Sequence, residues 1–176
     1  MSKGAGISHS ELLAKEILDQ FFKKFKRLDN VRPSWLEGLE IDRLYPTLGI
    51  AVEFQGDQHS RIVPGMHKSA DDFQRQLNLD TKKRRLIEEK GLKLYAINIL
   101  DLDRLRVKNI LKRMSEDGKK YASKNGYEED VRKLQQIRWE IDPEEKLMER
   151  ADSLTKIKRN YFRPPKKNWW QKLLGV

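Results

Sequence analysis

The sequence predicts a mixed α/β fold, a sheet with helices on its faces, continued by more helices and a basic tail. Three observations predict it. Apolar residues first recur at helical spacing, then alternate along two short runs joined by a Pro/Gly turn. Helical spacing then returns ahead of another alternating run, and the order helix, hairpin, helix, strand implies a mixed sheet. Composition sets the size of the core: 38% hydrophobic and 36% charged residues in a 176-residue chain leave much of it at a solvated surface. One domain with an appendage, or two very small domains, is the expected organisation.

The first helix begins at Ser8-His9-Ser10-Glu11, where Ser8 and Glu11 have capping-box spacing. Leu13, Ile17, Phe21 and Phe25 follow every four residues, with Leu12 and Leu18 beside them. Asp29, Asn30, Arg32 and Pro33 end it in a loop. From Trp35 to Gln58 the chain reads as β-structure, Leu39, Ile41 and Arg43 alternating with Glu40, Asp42 and Leu44. Tyr45-Pro46-Thr47-Leu48-Gly49 is a turn, and Ile50–Gln55 is the second strand. A turn centred between Thr47 and Leu48 sets Asp42 opposite Glu53 and Glu40 opposite Gln55; a one-residue slip breaks this register.

A second helix is expected from about Ser69 to Lys90, burying Phe73, Leu77, Leu86 and Ile87, with Gly91 as its C-cap. Leu92–Ile99 reads as the next strand. Beyond Leu102 the pattern is helical: a stripe of Leu105, Ile110, Leu111 and Met114 before Gly118, another of Val131, Leu134, Ile137 and Ile141, and a restart at Asp142-Pro143. The expected division is a core over residues 1–101 and a helical extension over 102–176.

Net charge is +10, and its distribution is uneven. Residues 154–176 hold seven Lys or Arg and no acid, whereas the preceding part carries 30 basic and 27 acidic residues. Such a tail suits a polyanion, most simply nucleic acid; the alternative is a solvated tail that aids solubility. Lys156, Lys158, Arg159, Arg163, Lys166 and Lys167 would contact phosphates, with Tyr161, Phe162, Trp169 and Trp170 stacking on bases or folding back onto the core. No apolar run approaches the ~20 residues that span a bilayer, Met1–His9 lack the apolar segment of a secretory signal, and cysteine is absent. A soluble cytoplasmic protein, nucleoid-associated in a prokaryote, is the expectation. The histidines offer no H-x₃-H pair for zinc, and His9 and His67 fall in expected loops.

Chemistry concentrates in Leu39–His59. A strand entering a core avoids lone carboxylates, which cost several kcal/mol to bury. Asp42 and Glu53, brought together across a hairpin, repel each other unless a cation lies between them. Hard oxygen ligands of this kind suit Mg²⁺, which takes one or two carboxylates and completes its shell with water and phosphate. The alternative is an outward, solvated strand face.

Glu11 on a leading helix, Asp42, then Glu53-Phe54-Gln55 and a following helix resemble the PD-(D/E)xK, or restriction-endonuclease-like, nuclease superfamily. Within it, EFQGDQH followed by DTKKRRLIEEKGLKLYAI is similar to the very-short-patch-repair-like branch, which includes mismatch-nicking repair enzymes and some homing endonucleases. The resemblance covers roughly Ser8 to Leu100. It implies a restriction-endonuclease-like αβββαβ core and Mg²⁺-dependent hydrolysis of DNA, with Mn²⁺ able to substitute. By position it makes Asp42 the central metal ligand and Glu53 the second, with His59 holding or deprotonating the attacking water. Glu11 matches the acidic residue that several branches bring from the first helix, and Asp80 the one on the helix after the motif. Gln55 stands where the superfamily usually has Lys; it carries no charge and cannot act as a base at neutral pH. Lys83 or Lys82, one turn after Asp80, would supply that charge. Lys82, Arg84 and Arg85 spread around their helix, so only part of the run faces DNA.

Glu11 also reads as a capping-box residue, and Asp71 and Asp72 as an acidic first turn favoured by the helix dipole. The expected function is a metal-dependent DNA endonuclease. Its rivals are a nuclease fold without turnover that binds DNA or bridges it to a protein, and a tail that docks on an anionic membrane. The partner is DNA; a homodimer is left open, and with it nicking against double-strand cutting.

Overall fold

A computed structural model describes residues 9–55, 70–98 and 104–139, together with 149 and 153. The elements are α1 (His9–Phe22), β1 (Leu28–Val31), a 3₁₀ turn (Ser34–Leu36), β2 (Ile41–Tyr45), β3 (Ile50–Gln55), α2 (Ala70–Glu89), β4 (Lys93–Asn98), α3 (Arg104–Lys124) and α4 (Glu128–Gln135). The strands form one mixed sheet in the order β1-β2-β3-β4. β1, β2 and β3 are antiparallel neighbours, and β4 lies parallel to β3.

The hairpin fixes the register. Tyr45 pairs with Ile50, Leu44 with Ala51 and Arg43 with Val52, the register expected from a turn centred between Thr47 and Leu48. Gly49 makes this turn at φ +62, and an added Cβ there would land inside the Tyr121 ring of α3. Alternation then sends Tyr45, Ile50 and Val52 into one apolar layer and Leu44 and Ala51 into the other.

The larger layer joins Leu13, Ile17, Leu18 and Phe22 of α1 to Val107, Leu111 and Met114 of α3 and Leu134 of α4. Phe21 stacks on Trp139 with ring centroids 5.6 Å apart, tying the segment after α4 back to α1. The smaller layer sets Leu86 and Ile87 of α2 against Leu36, Ile41, Leu44 and Ala51. Helices therefore flank the sheet, as expected. The α2 end also follows expectation: Gly91 (φ +71) donates to the Glu88 carbonyl at 2.8 Å and Leu92 to that of Ile87 at 3.1 Å, a Schellman closure.

Several expectations are corrected. Residues 28–31 form β1 rather than a loop. This edge strand is mostly exposed, which hides it from a search for apolar alternation, and an ion pair to a buried arginine anchors it. Arg43, 2% exposed, donates to Asp29 at 2.6 Å and to Asp19 of α1 at 2.6 Å. Trp35 belongs to the 3₁₀ turn, so β2 starts only at Ile41. In α1 the fully buried aromatic is Phe22 rather than Phe21, and Leu12 faces out. Leu77 and Leu105 are exposed as well, and α3 runs through Gly118 to Lys124. Gly118 lets the helix press on the hairpin, because an added Cβ would meet Ile50 and Leu48 at 3.3 Å. Ile141, the restart at Asp142-Pro143 and the aromatic tail lie outside the described residues, as do the side chains of Phe73, Asp71 and Asp72.

Candidate active site

Beyond the Arg43–Val52 pair, side chains take over from the backbone ladder between β2 and β3. The Phe54 N–H donates to Asp42 Oδ2 at 2.8 Å, so a carboxylate oxygen serves where a main-chain carbonyl would. Glu53, beside Phe54, points to the α2 side, where Lys83 Nζ donates to its Oε2 at 2.7 Å. Both partners of this ion pair are 17% exposed. Glu53 Oε1 is buried and has no hydrogen-bond partner. Leaving such an atom unsatisfied carries a desolvation cost of about 1–3 kcal/mol.

α1 closes the other side. Lys15 Nζ donates to Glu11 Oε1 at 2.8 Å, one helical turn away, and sits 5.4 Å from the centre of the Phe54 ring. Lys15 is 12% exposed and Glu11 25%. Arg43 Nη1 approaches the Lys15 carbonyl at 3.4 Å, so the residue next to Asp42 in β2 also pins this stretch of α1. Four elements thus converge where β2 and β3 separate.

The electrostatics follow from burial. Desolvation pushes the Asp42 carboxyl above its ordinary range; the Phe54 N–H and the Lys83 charge pull it back, Glu11 adds repulsion and Lys15 attraction. Glu53 is also raised, first by desolvation, with the Lys83 hydrogen bond opposing, the Asp42 charge reinforcing and the nearby Asp42 backbone N–H lowering it in smaller measure. Both carboxyls thus resist ionisation chiefly because they are buried, and one of them keeps an oxygen without a hydrogen-bond partner.

That donor set fits a small divalent cation. Mg²⁺ asks for one or two carboxylates and fills its octahedron with water and substrate oxygens, and Asp42 and Glu53 are the two that could hold it. Among the described residues there is no group of three or more acidic or histidine side chains placed to cage a metal. The rest of the shell would have to come from solvent and substrate.

The structure therefore brings together Glu11, Asp42, Glu53 and Lys83, four of the residues expected from the sequence. Asp80 lies one turn before Lys83 on α2 and accepts from Gln76 at 3.2 Å. Lys82 turns to Glu37 and Arg85 to Glu89, while Arg84 is exposed. Gln55 ends β3 with its backbone opposite Asn98; its side chain is outside the described residues. His59, Lys156, Lys158, Arg159, Arg163, Lys166 and Lys167 also lie outside them. Lys15 joins this cluster, and the sequence reading misses it. Its one signal is the i,i+4 spacing from Glu11, which many surface helices share.

No family model matches the chain, and no solved structure matches it. Its relatives are viral proteins described as uncharacterized. Protein 307L of Invertebrate iridescent virus 6 is 36% identical over 59 residues, 34% of this chain and 30% of the relative. Protein 033L of Invertebrate iridescent virus 3 is 30% identical over 105 residues, covering 54% and 53%. Protein 094L of Frog virus 3 (isolate Goorha) is 32% identical over 85 residues, covering 48% and 55%. The chain thus spans between about a third and about half of the length of these curated relatives.

Proposed function

We propose that this chain is a metal-dependent DNA endonuclease of restriction-endonuclease-like fold, with Asp42 and Glu53 holding Mg²⁺ or Mn²⁺. The observation that carries the reading is Glu53: a largely buried carboxylate with one oxygen on Lys83 and the other without a partner, next to a second carboxylate. A fold stabilised by packing alone gains nothing from that arrangement. The order α1-β1-β2-β3-α2-β4 supports it too, since β1 completes the αβββαβ series that the motif resemblance implies.

A bound divalent ion would supply an activated water and stabilise charge on the phosphodiester. The chain's own groups do the rest. The Phe54 N–H fixes the Asp42 carboxylate, and Lys83 fixes that of Glu53. Lys83, paired with Glu53, would carry from α2 the positive charge that position 55 lacks. Lys15, held by Glu11 and the Phe54 ring, adds a second cation from α1. His59 is assigned the proton of the attacking water, and Gln55 the orientation of water or phosphate. Lys82, Arg84, Arg85 and the basic tail are assigned to the DNA backbone.

One observation favours a second reading. Lys83 already neutralises part of the carboxylate charge, so the site can persist without metal, as a DNA-binding module without turnover requires. Supercoiled-plasmid cleavage with Mg²⁺, Mn²⁺ or EDTA, run beside Glu53→Ala, separates the two. Metal-dependent nicking that the variant loses is the expected result. Plasmid binding without cleavage under any divalent ion selects the binding module, and cleavage that survives Glu53→Ala removes this site from consideration.

A further inference from the structure

The two carboxylates do not offer four equivalent oxygens. Asp42 Oδ2 is committed to the Phe54 N–H at 2.8 Å, and Glu53 Oε2 to Lys83 at 2.7 Å. Glu53 Oε1 is the oxygen that the protein leaves buried and unpaired. Glu11, the acid that would extend the cluster toward a second ion, has its Oε1 on Lys15 at 2.8 Å. A helical lysine thus takes one oxygen on each flank.

We propose that Lys83 makes this a site for one small octahedral cation, by holding Glu53 to a single free oxygen and so excluding both a second ion and chelation by the whole carboxylate. The inference rests on the metal-site reading above. Its chemistry follows from the ions. Mg²⁺ and Mn²⁺ accept carboxylates through single oxygens and fill six positions largely with water and phosphate. Ca²⁺ prefers six to eight oxygens, often with a bidentate carboxylate, which Glu53 cannot give while its Oε2 faces an ammonium. That ammonium, only 17% exposed, is weakly screened and repels a second cation approaching the same oxygen.

The experiment is a Mn²⁺ titration of the full chain, reading free Mn²⁺ by electron paramagnetic resonance, repeated with Ca²⁺ as competitor. The wild type is expected to bind one Mn²⁺ per chain, lost in Glu53→Gln, with Ca²⁺ competing only in roughly tenfold excess or more. In Lys83→Met, whose folding is verified by its melting curve, Ca²⁺ should compete about tenfold better once Oε2 is released. Two Mn²⁺ ions on the wild type overturn the proposal, as does a Lys83→Met protein with unchanged Ca²⁺ competition. A folded wild type that binds no Mn²⁺ overturns the metal-site reading itself, and the proposal with it. Should Lys83→Met fail to fold, the wild-type stoichiometry decides.

Discussion

Under the proposed function, Glu53 is where function and stability pull apart. Its carboxyl is raised above the ordinary value of 4.5 by burial and by Asp42, and Lys83 only partly compensates. Between 4.5 and the raised folded value, the folded state holds a proton that the unfolded chain has released. Stability therefore falls as pH rises through that window, and the cost persists at neutral pH. Glu53→Gln, neutral and nearly the same shape, should melt higher than the wild type at pH 7, and the gap should close below about pH 4.5. Thermal melts of both proteins across that range check the sign. A Glu53→Gln protein that melts lower at pH 7 would mean the Lys83 ion pair outweighs desolvation. Asp42 and Glu53 are legible in the sequence because a short Pro/Gly turn between Tyr45 and Ile50 sets a period-two register, and the register places the pair. Lys83 is legible only as one of two helical candidates, and the choice depends on which face of α2 meets the sheet. Lys15 cannot be singled out in advance, because what distinguishes it is proximity to Phe54 and Asp42 from another element.

Among the elements, the hairpin positions the site, so its turn is a sensitive point. Gly49 combines a positive φ with the Tyr121 ring packed directly against it. Gly49→Ala should cost at least about 3 kcal/mol, combining overpacking with backbone strain, whereas Gly91→Ala, with open space around its Cβ position, should cost only about 1 kcal/mol. Urea midpoints for the two variants test this ranking; equal losses would mean that the Tyr121 ring yields freely. Elements with a strong period are readable in advance, namely α1, the hairpin, α2, β4 and the beginning of α3. β1 is not, since its exposed Leu28-Asp29-Asn30 run carries no apolar alternation and is held by Arg43, a partner 14 residues away from Asp29. The outward turn of Leu77 and Leu105 is likewise a tertiary outcome that apolarity alone does not foretell.

At the scale of the whole molecule, a carboxylate pair at the end of a sheet belongs to a chain of net charge +10 whose last 23 residues carry only basic charge. No helix among the described residues is long and apolar enough to cross a membrane. Removing residues 154–176 should weaken duplex binding and flatten its dependence on salt, by about 0.9 in log–log slope for each phosphate that the shortened chain no longer neutralises. Filter binding at several salt concentrations measures it, and an unchanged slope would assign the DNA-binding charge to other parts of the chain. In the proposed function, metal binding, charge and chemistry all meet at Glu53, and the most direct test is the rate of Mg²⁺-dependent plasmid nicking by Glu53→Gln relative to the wild type. The predicted result is a loss of at least about a hundredfold in rate from a protein that melts no lower at pH 7. Nicking at the wild-type rate would contradict the proposed site, because an active site cannot lose the charge of one of its two metal-holding carboxylates and keep its chemistry.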